Sequence, residues 1–189
     1  MTPLPGRTGV LGGTFDPVHE GHVAAAEAAR RALALDQVLF VPSHRPPHRP
    51  AQPRASAFHR FAMVSLAVAG NPGFLASDVE LARSGPSYTA DTLRRLHEAG
   101  YGASQLFFIL GTDAFAEIAT WRDYPAVLDL AHFVVVARPG QALGLMKGQA
   151  PDLAARMRLA VEGARDEAEG PPCAVFLVNA ATPDVSSTE

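Results

Sequence analysis

Thr8-Gly-Val-Leu-Gly-Gly-Thr-Phe-Asp-Pro-Val-His-Glu-Gly-His22 opens the readable part of the chain. A short apolar run, Thr8 to Leu11, closes on two glycines and a polar turn. An Ala-rich segment, Gly21 to Leu35, follows directly. In that segment Glu27, Arg30 and Arg31 fall at i, i+3 and i+4, which gives a helix one charged stripe. The stretch therefore reads as strand, loop and helix. Whether the rest repeats that order decides the fold.

It does. Gln37 to Val41, Phe74 to Ala76, Gln105 to Leu110, Phe133 to Ala137 and Ala174 to Val178 are further strand candidates. The last three are apolar almost throughout rather than alternating, as expected of strands covered on both faces. Helix candidates are Arg54 to Ala69, Thr89 to Ala99 and Asp152 to Val161, with a shorter one at Ala114 to Thr120. Strands alternating with helices imply an α/β, doubly wound, mostly parallel sheet with helices on both faces, as one domain over residues 1–189. Pro42 to Pro53 and Arg138 to Pro151 are rich enough in proline and glycine to be loops.

Composition narrows the class. A chain of 189 residues buries about 70% of its unfolded surface on folding and needs no disulfide or metal staple. The single cysteine, Cys173, excludes an internal disulfide framework and fits a reducing cytoplasm. Sixteen basic against nineteen acidic residues argue against a general nucleic-acid binder, so phosphate recognition has to be local. Only Lys147 of the basic residues is a lysine, which we read as a coding bias. No apolar run reaches the ~18–20 residues of a membrane span.

Polar clusters begin where strand candidates end. Gly12 to Pro17 follows the first, Pro42 to His48 the second, Gly111-Thr112-Asp113 the fourth, Arg138-Pro139-Gly140 the fifth and Pro183 to Thr188 the sixth. Open parallel sheets bind ligands at the carboxyl ends of their strands, so these clusters would share one face. In the first, glycines allow close approach of a phosphate, and the helix start behind them supplies N–H groups and a favourable dipole. His19 and His22, three apart, lie on one side of a first helical turn. Three readings of that pair stand: a two-histidine metal site, a tight turn with structurally satisfied histidines, and an anion-binding, electrophilic site. Neither Gly-x-x-x-x-Gly-Lys-Ser/Thr nor Gly-x-Gly-x-x-Gly occurs, which disfavours a kinase or an NAD-dependent dehydrogenase.

Gly-Gly-Thr-Phe-Asp-Pro-x-His-x-Gly-His resembles the first signature of the nucleotidylyltransferase superfamily. Val185-Ser186-Ser187-Thr188 resembles its second, Ile-Ser-Ser-Thr-x-x-Arg, whose arginine the sequence does not reach. Pro46-Pro47-His48, Ser87-Tyr88-Thr89-x-Asp91-Thr92-Leu93, Ile109-x-Gly111-x-Asp113, Trp121 and Arg138-Pro139-Gly140 narrow the similarity to bacterial nicotinate-nucleotide adenylyltransferases. Arg49 stands where a lysine often follows Pro-Pro-His, keeping the charge with a different geometry.

The resemblance implies a Rossmann-like fold and adenylyl transfer from ATP to nicotinate mononucleotide. It implies that His19 and His22 are catalytic and that Gly12, Gly13, Thr14, Phe15, Gly111, Asp113, Ser186, Ser187 and Thr188 bind ATP. Thr89, Trp121, His48, Arg49 and Arg138 would bind the second substrate. Mg²⁺ is expected as Mg-ATP, with no protein metal cage, no nucleic-acid or membrane partner, and association into a homo-oligomer left open. Each residue also has a plainer role. Asp113 and Thr89 suit helix N-caps, Trp121 suits a core, and the basic residues after the second strand suit a solvated loop. His59, His97 and His132 read as ordinary helix or strand residues. Two rival functions are a related adenylyltransferase acting on pantetheine phosphate and a nucleotide-binding sensor without turnover, the latter resting on the missing arginine.

Overall fold

A computed structural model describes residues 6–47, 52–82, 85–137, 148, 150–160 and 173–179. The six expected strands are present as β1 (Thr8–Gly13), β2 (Gln37–Pro42), β3 (Phe74–Ala76), β4 (Leu106–Gly111), β5 (His132–Ala137) and β7 (Val175–Asn179). A seventh, β6 (Met157–Leu159), pairs with β7 at the sheet edge. The order is β3-β2-β1-β4-β5-β7-β6, and every pairing is parallel. The chain winds outward from β1 through β2 to β3, then returns to the other side of β1 as β4. Strand order therefore reverses between β1 and β4, the point beyond whose carboxyl ends open parallel sheets form their ligand crevice.

Apolar strands are covered on both sides. Val10, Phe108, Leu110 and Val135 turn to one face and share a core with Ala90, Leu93 and Leu96 of α3 (Thr89–Glu98) and Phe115 of α4 (Thr112–Ala116). Leu11, Phe107, Ile109 and Val134 turn to the other. They meet Ala26 and Ala29 of α1 (Glu20–Ala32) and Val64 and Val68 of α2 (Ala57–Val68). The period of two in the strands thus feeds two separate cores, one under each helical layer. On α1 the charged stripe closes as read: Glu27 accepts from Arg30 at 3.0 Å and from Arg31 at 2.6 Å.

Four expectations need correction. Asp152 to Val161 is not one helix: a 3₁₀ segment, Pro151–Arg156, passes into strand β6. Leu153 and Met157 are both buried, so their helical spacing is real, but one belongs to each element. The expected helix Ala114 to Thr120 breaks after Ala116 and resumes as a 3₁₀ turn at Ile118–Thr120. Neither Thr89 nor Asp113 is an N-cap; Tyr88 and Gly111 hold those positions. Helix α2 starts three residues late, because the Arg54 and Ala55 amides donate instead to the Asp16 carboxylate at 2.6 and 3.2 Å. Ser56 then caps the helix by accepting from the His59 amide. Among the described residues no helix is long and apolar enough to cross a membrane.

Leu93 is fully buried between α3 and the sheet. Leu93→Ala is expected to cost about 2–5 kcal/mol in urea unfolding. Leu66→Ala, at a side chain 80% exposed, should stay within about 0.5 kcal/mol. Equal effects of the two would contradict the burial assigned here.

Candidate functional site

The loop after β1 is shaped by one buried ring. Phe15, with a backbone φ of 51° and 1% exposure, folds its ring beneath Gly13. A Cβ on Gly13 would stand 2.9 Å from that ring, so this position excludes any side chain. The same ring meets the edge of His22 at 4.9 Å. Phe15 was expected at the nucleotide. Its side chain belongs to the core, and only its backbone lies in the loop that faces the crevice.

Helix α1 begins with an unusual cap. His19 occupies the N-cap with an extended backbone and makes no side-chain cap hydrogen bond. Ser, Thr, Asp or Asn would normally supply an oxygen there for the first free amides. His22, at the third helical position, sets its ring centre 3.8 Å from that of His19, the two planes tilted by 32°. The His19 amide donates to His22 Nδ1 at 3.3 Å, which places the neutral ring's proton on Nε2 as a free donor. His19 Nδ1 is buried with no hydrogen-bond partner. A helix start without a capping oxygen beside two imidazoles leaves N–H donors at the positive end of the helix dipole, the chemistry that suits an acceptor-rich anion.

Electrostatics refine that reading. Burial, reinforced by the neighbouring His19, pushes the His22 pKa down to about 4. Burial lowers His19 as well. Near pH 7 the pair is therefore neutral before any anion arrives, and its contribution is N–H donation rather than a standing positive charge. A pair of imidazoliums at this separation would repel. Among the described residues no group of three or more His, Cys, Asp or Glu side chains could hold a metal, so the histidine pair has no third ligand there.

Of the other expected residues, Gly111 and Asp113 fall at the end of a neighbouring strand. Gly111 closes β4 and caps α4, with Asp113 exposed in that helix's first turn. Thr89 is the first residue of α3, whose N-cap, Tyr88, also lacks a side-chain cap bond. Trp121 is half-buried, edge-on to Phe108 with ring centres 5.9 Å apart. The loop carrying Trp121 is stitched to the start of α3. Arg122 pairs with Asp91 at 3.3 Å and lies over the Tyr88 ring at 4.8 Å, while Arg94 reaches Asp123 at 2.7 Å. Trp121 and Thr89 thus belong to one constellation. Gly12, Gly13, Thr14, His19 and His22 form the other. His48, Arg49, Arg138, Ser186, Ser187 and Thr188 lie outside the described residues.

Two polar residues escaped the sequence reading. Arg60, 1% exposed, sits among these loops, and Glu80 is buried behind them. Thr92 donates to Glu80 Oε1 at 2.5 Å, and desolvation raises the pKa of the Glu80 carboxyl. Arg60 had a legible signal: it heads the stripe Arg60, Val64, Val68, where i, i+4 spacing calls for an apolar residue.

Comparison with known proteins gives the chain's family and fold. The family model described as cytidylyltransferase-like matches residues 10–189. A probable nicotinate-nucleotide adenylyltransferase of Desulfitobacterium hafniense strain Y51 is 50% identical over 136 residues, covering 72% of this chain and 65% of its own length. One from Geotalea uraniireducens is 39% identical over 183 residues, covering 97% of this chain and 84% of its own. A solved structure, Plasmodium falciparum nicotinic acid mononucleotide adenylyltransferase complexed with NaAD, shares the fold at a TM-score of 0.66 and 16% identity. It aligns with 95% of this chain and 77% of its own. The chain belongs to the cytidylyltransferase-like nucleotidyltransferases and, among them, to the nicotinate-nucleotide adenylyltransferase family. The alignment to the Desulfitobacterium relative spans just under two thirds of that relative's length.

The histidine pair also predicts a pH dependence. An unfolded histidine titrates near 6.5, whereas folded His22 titrates near 4. Between those values the unfolded chain binds a proton that the folded chain refuses, so stability falls as pH drops through that window. Urea midpoints of the wild type and His22→Asn, compared from pH 7.5 to 4.5, should show a shallower acid loss in the variant. Identical slopes would show that His22 is not held neutral.

Proposed function

We propose that the protein transfers the adenylyl group of ATP to nicotinate mononucleotide, releasing diphosphate and forming nicotinate adenine dinucleotide. The observation that carries this reading is the histidine pair at the start of α1, with no capping oxygen, beside the glycine loop and at the point of strand reversal. An oxygen of the mononucleotide's 5′-phosphate attacks the α-phosphorus of ATP, and the bond to the diphosphate oxygen breaks. The attacking phosphate is already ionised near neutral pH, so no general base or protein nucleophile is required.

Catalysis is then positioning and charge stabilisation. Two anions have to approach within about 3–3.5 Å at the reacting atoms, and their repulsion must be offset. In this reading His22 Nε2–H, a ring nitrogen of His19 and the first amides of α1 serve the α-phosphate. The arriving negative charge favours the imidazolium, so the pair gains proton affinity as the phosphate binds. Mg²⁺ belongs to this reading as part of Mg-ATP, screening the diphosphate; it favours substrate phosphates and retained waters over an all-protein cage.

The second constellation suits the pyridine nucleotide. Trp121 offers an aromatic face worth about 0.5–1.5 kcal/mol in stacking beyond area burial. The amides opening α3 lack a side-chain cap and offer donors to a carboxylate. Donors fixed in this way accept an acid and leave the NH₂ of an amide unmatched, which favours nicotinate over nicotinamide mononucleotide. Asp113, in the first turn of α4, is proposed to accept from ribose hydroxyls of the adenosine. His48, Arg49 and Arg138 are proposed for substrate phosphates, and Ser186, Ser187 and Thr188 for the β- and γ-phosphates, by family likeness.

His19→Ala and His22→Ala should each lower kcat by about 10²–10³-fold with the fold retained, as loss of one stabilising donor typically does. Near wild-type diphosphate release in both variants would reject the assignment. Trp121→Ala should raise KM for nicotinate mononucleotide more than KM for ATP. Equal changes would make Trp121 a packing residue. A paired assay of nicotinate and nicotinamide mononucleotides with the same Mg-ATP should favour the acid, and equal turnover would remove the carboxylate from the argument.

A further inference from the structure

Arg60 is the bulkiest fully buried side chain among the described residues. Placing a guanidinium there is strongly unfavourable unless its N–H groups are met. They are met by backbone carbonyls drawn from separate loops. One terminal nitrogen donates to Thr14 O at 2.6 Å, in the loop after β1. The other donates to Ser43 O at 2.6 Å and His44 O at 3.2 Å, in the loop after β2. Nε donates to Ala55 O at 3.2 Å, ahead of the helix that carries Arg60.

Peptide planarity turns these contacts into orientations. A carbonyl and the following amide point in opposite directions, so holding the Thr14 and Ser43 carbonyls inward turns the Phe15 and His44 amides the other way. For His44 the result is visible: its N–H donates to Ser87 Oγ at 2.9 Å. Ser87 answers with its own amide, which donates to Arg45 O at 2.9 Å. Ser87 immediately precedes Tyr88 and Thr89, the start of α3. A continuous chain of hydrogen bonds therefore runs from the glycine loop through Arg60 and His44 to the loop that opens α3.

We propose that Arg60 is a positioning residue that sets both substrate subsites at once, holding the glycine loop directly and the Ser87–Thr89 loop through His44 and Ser87. The proposal rests on the function given above in assigning one loop to ATP and the other to the pyridine nucleotide. Lysine keeps the charge at this site but lacks the planar fork that serves carbonyls of two loops together.

The test compares Arg60→Lys and Ser87→Ala with the wild type by amide hydrogen exchange and steady-state kinetics. Arg60→Lys should exchange its His44 and Ser87 amides at least tenfold faster, while the β5 amides of Val134 to Val136 keep their protection. It should raise KM for both substrates. Ser87→Ala should speed exchange at His44 and raise KM for the mononucleotide alone. Unchanged exchange at His44 and Ser87 in folded Arg60→Lys, or unaltered KM values beside a lowered melting temperature, would make Arg60 a packing residue and overturn the proposal. Should Arg60→Lys fail to fold, Ser87→Ala decides: wild-type KM for the mononucleotide overturns the link. A wild-type protein without diphosphate release would sink the functional reading instead, and the exchange comparison would still decide the loop coupling.

Discussion

A helix that begins with histidine where an oxygen-bearing cap belongs has given up local stability, of order 1 kcal/mol on typical capping energies. In α1 that sacrifice leaves the first amides without a side-chain cap and sets two imidazoles beside them. The rest of the molecule is arranged around this position. The reversal between β1 and β4 opens the crevice there, the Phe15 ring holds the glycine loop and touches His22, and the Asp16 carboxylate anchors the loop's far side to the Arg54 and Ala55 amides. Local rules are broken at functional sites and compensated elsewhere, and here the compensation is visible in the surrounding packing.

The electrostatic state of the pair gives the site its character. Burial keeps both rings neutral near pH 7, so the pair offers N–H donors without a standing charge. On the proposed function, an approaching triphosphate would favour the protonated form that burial disfavours, so positive charge would develop where negative charge has to be offset. A permanently charged pair at 3.8 Å would have carried its mutual repulsion in the free protein.

Much of this was legible from residue order. Continuous apolar runs such as Leu-Phe-Phe-Ile-Leu and Phe-Val-Val-Val-Ala are what a sheet covered on both faces requires, and those runs became β4 and β5. The polar clusters after β1, β2 and β4 stand on one side because a parallel sheet collects the carboxyl ends of its strands there. What stayed hidden depends on tertiary context. Leu153 and Met157 are spaced as in a helix, yet pairing with β7 draws Met157 into a strand. Arg60 interrupts an apolar stripe, but what it serves was hidden because the Thr14 and Ser43 carbonyls lie in loops distant in sequence. Phe15 lies within a signature that reads as ligand-binding, and only packing reveals that its ring is a support for the loop.

The account stands or falls on where a triphosphate sits relative to α1. A crystal structure with a non-hydrolysable ATP analogue addresses this directly. The α-phosphate oxygens should lie within about 2.7–3.1 Å of His22 Nε2 and of the first α1 amides, the range for productive oxyanion donors. An analogue bound elsewhere, with both imidazoles untouched and the opening of the helix facing only solvent, would contradict it.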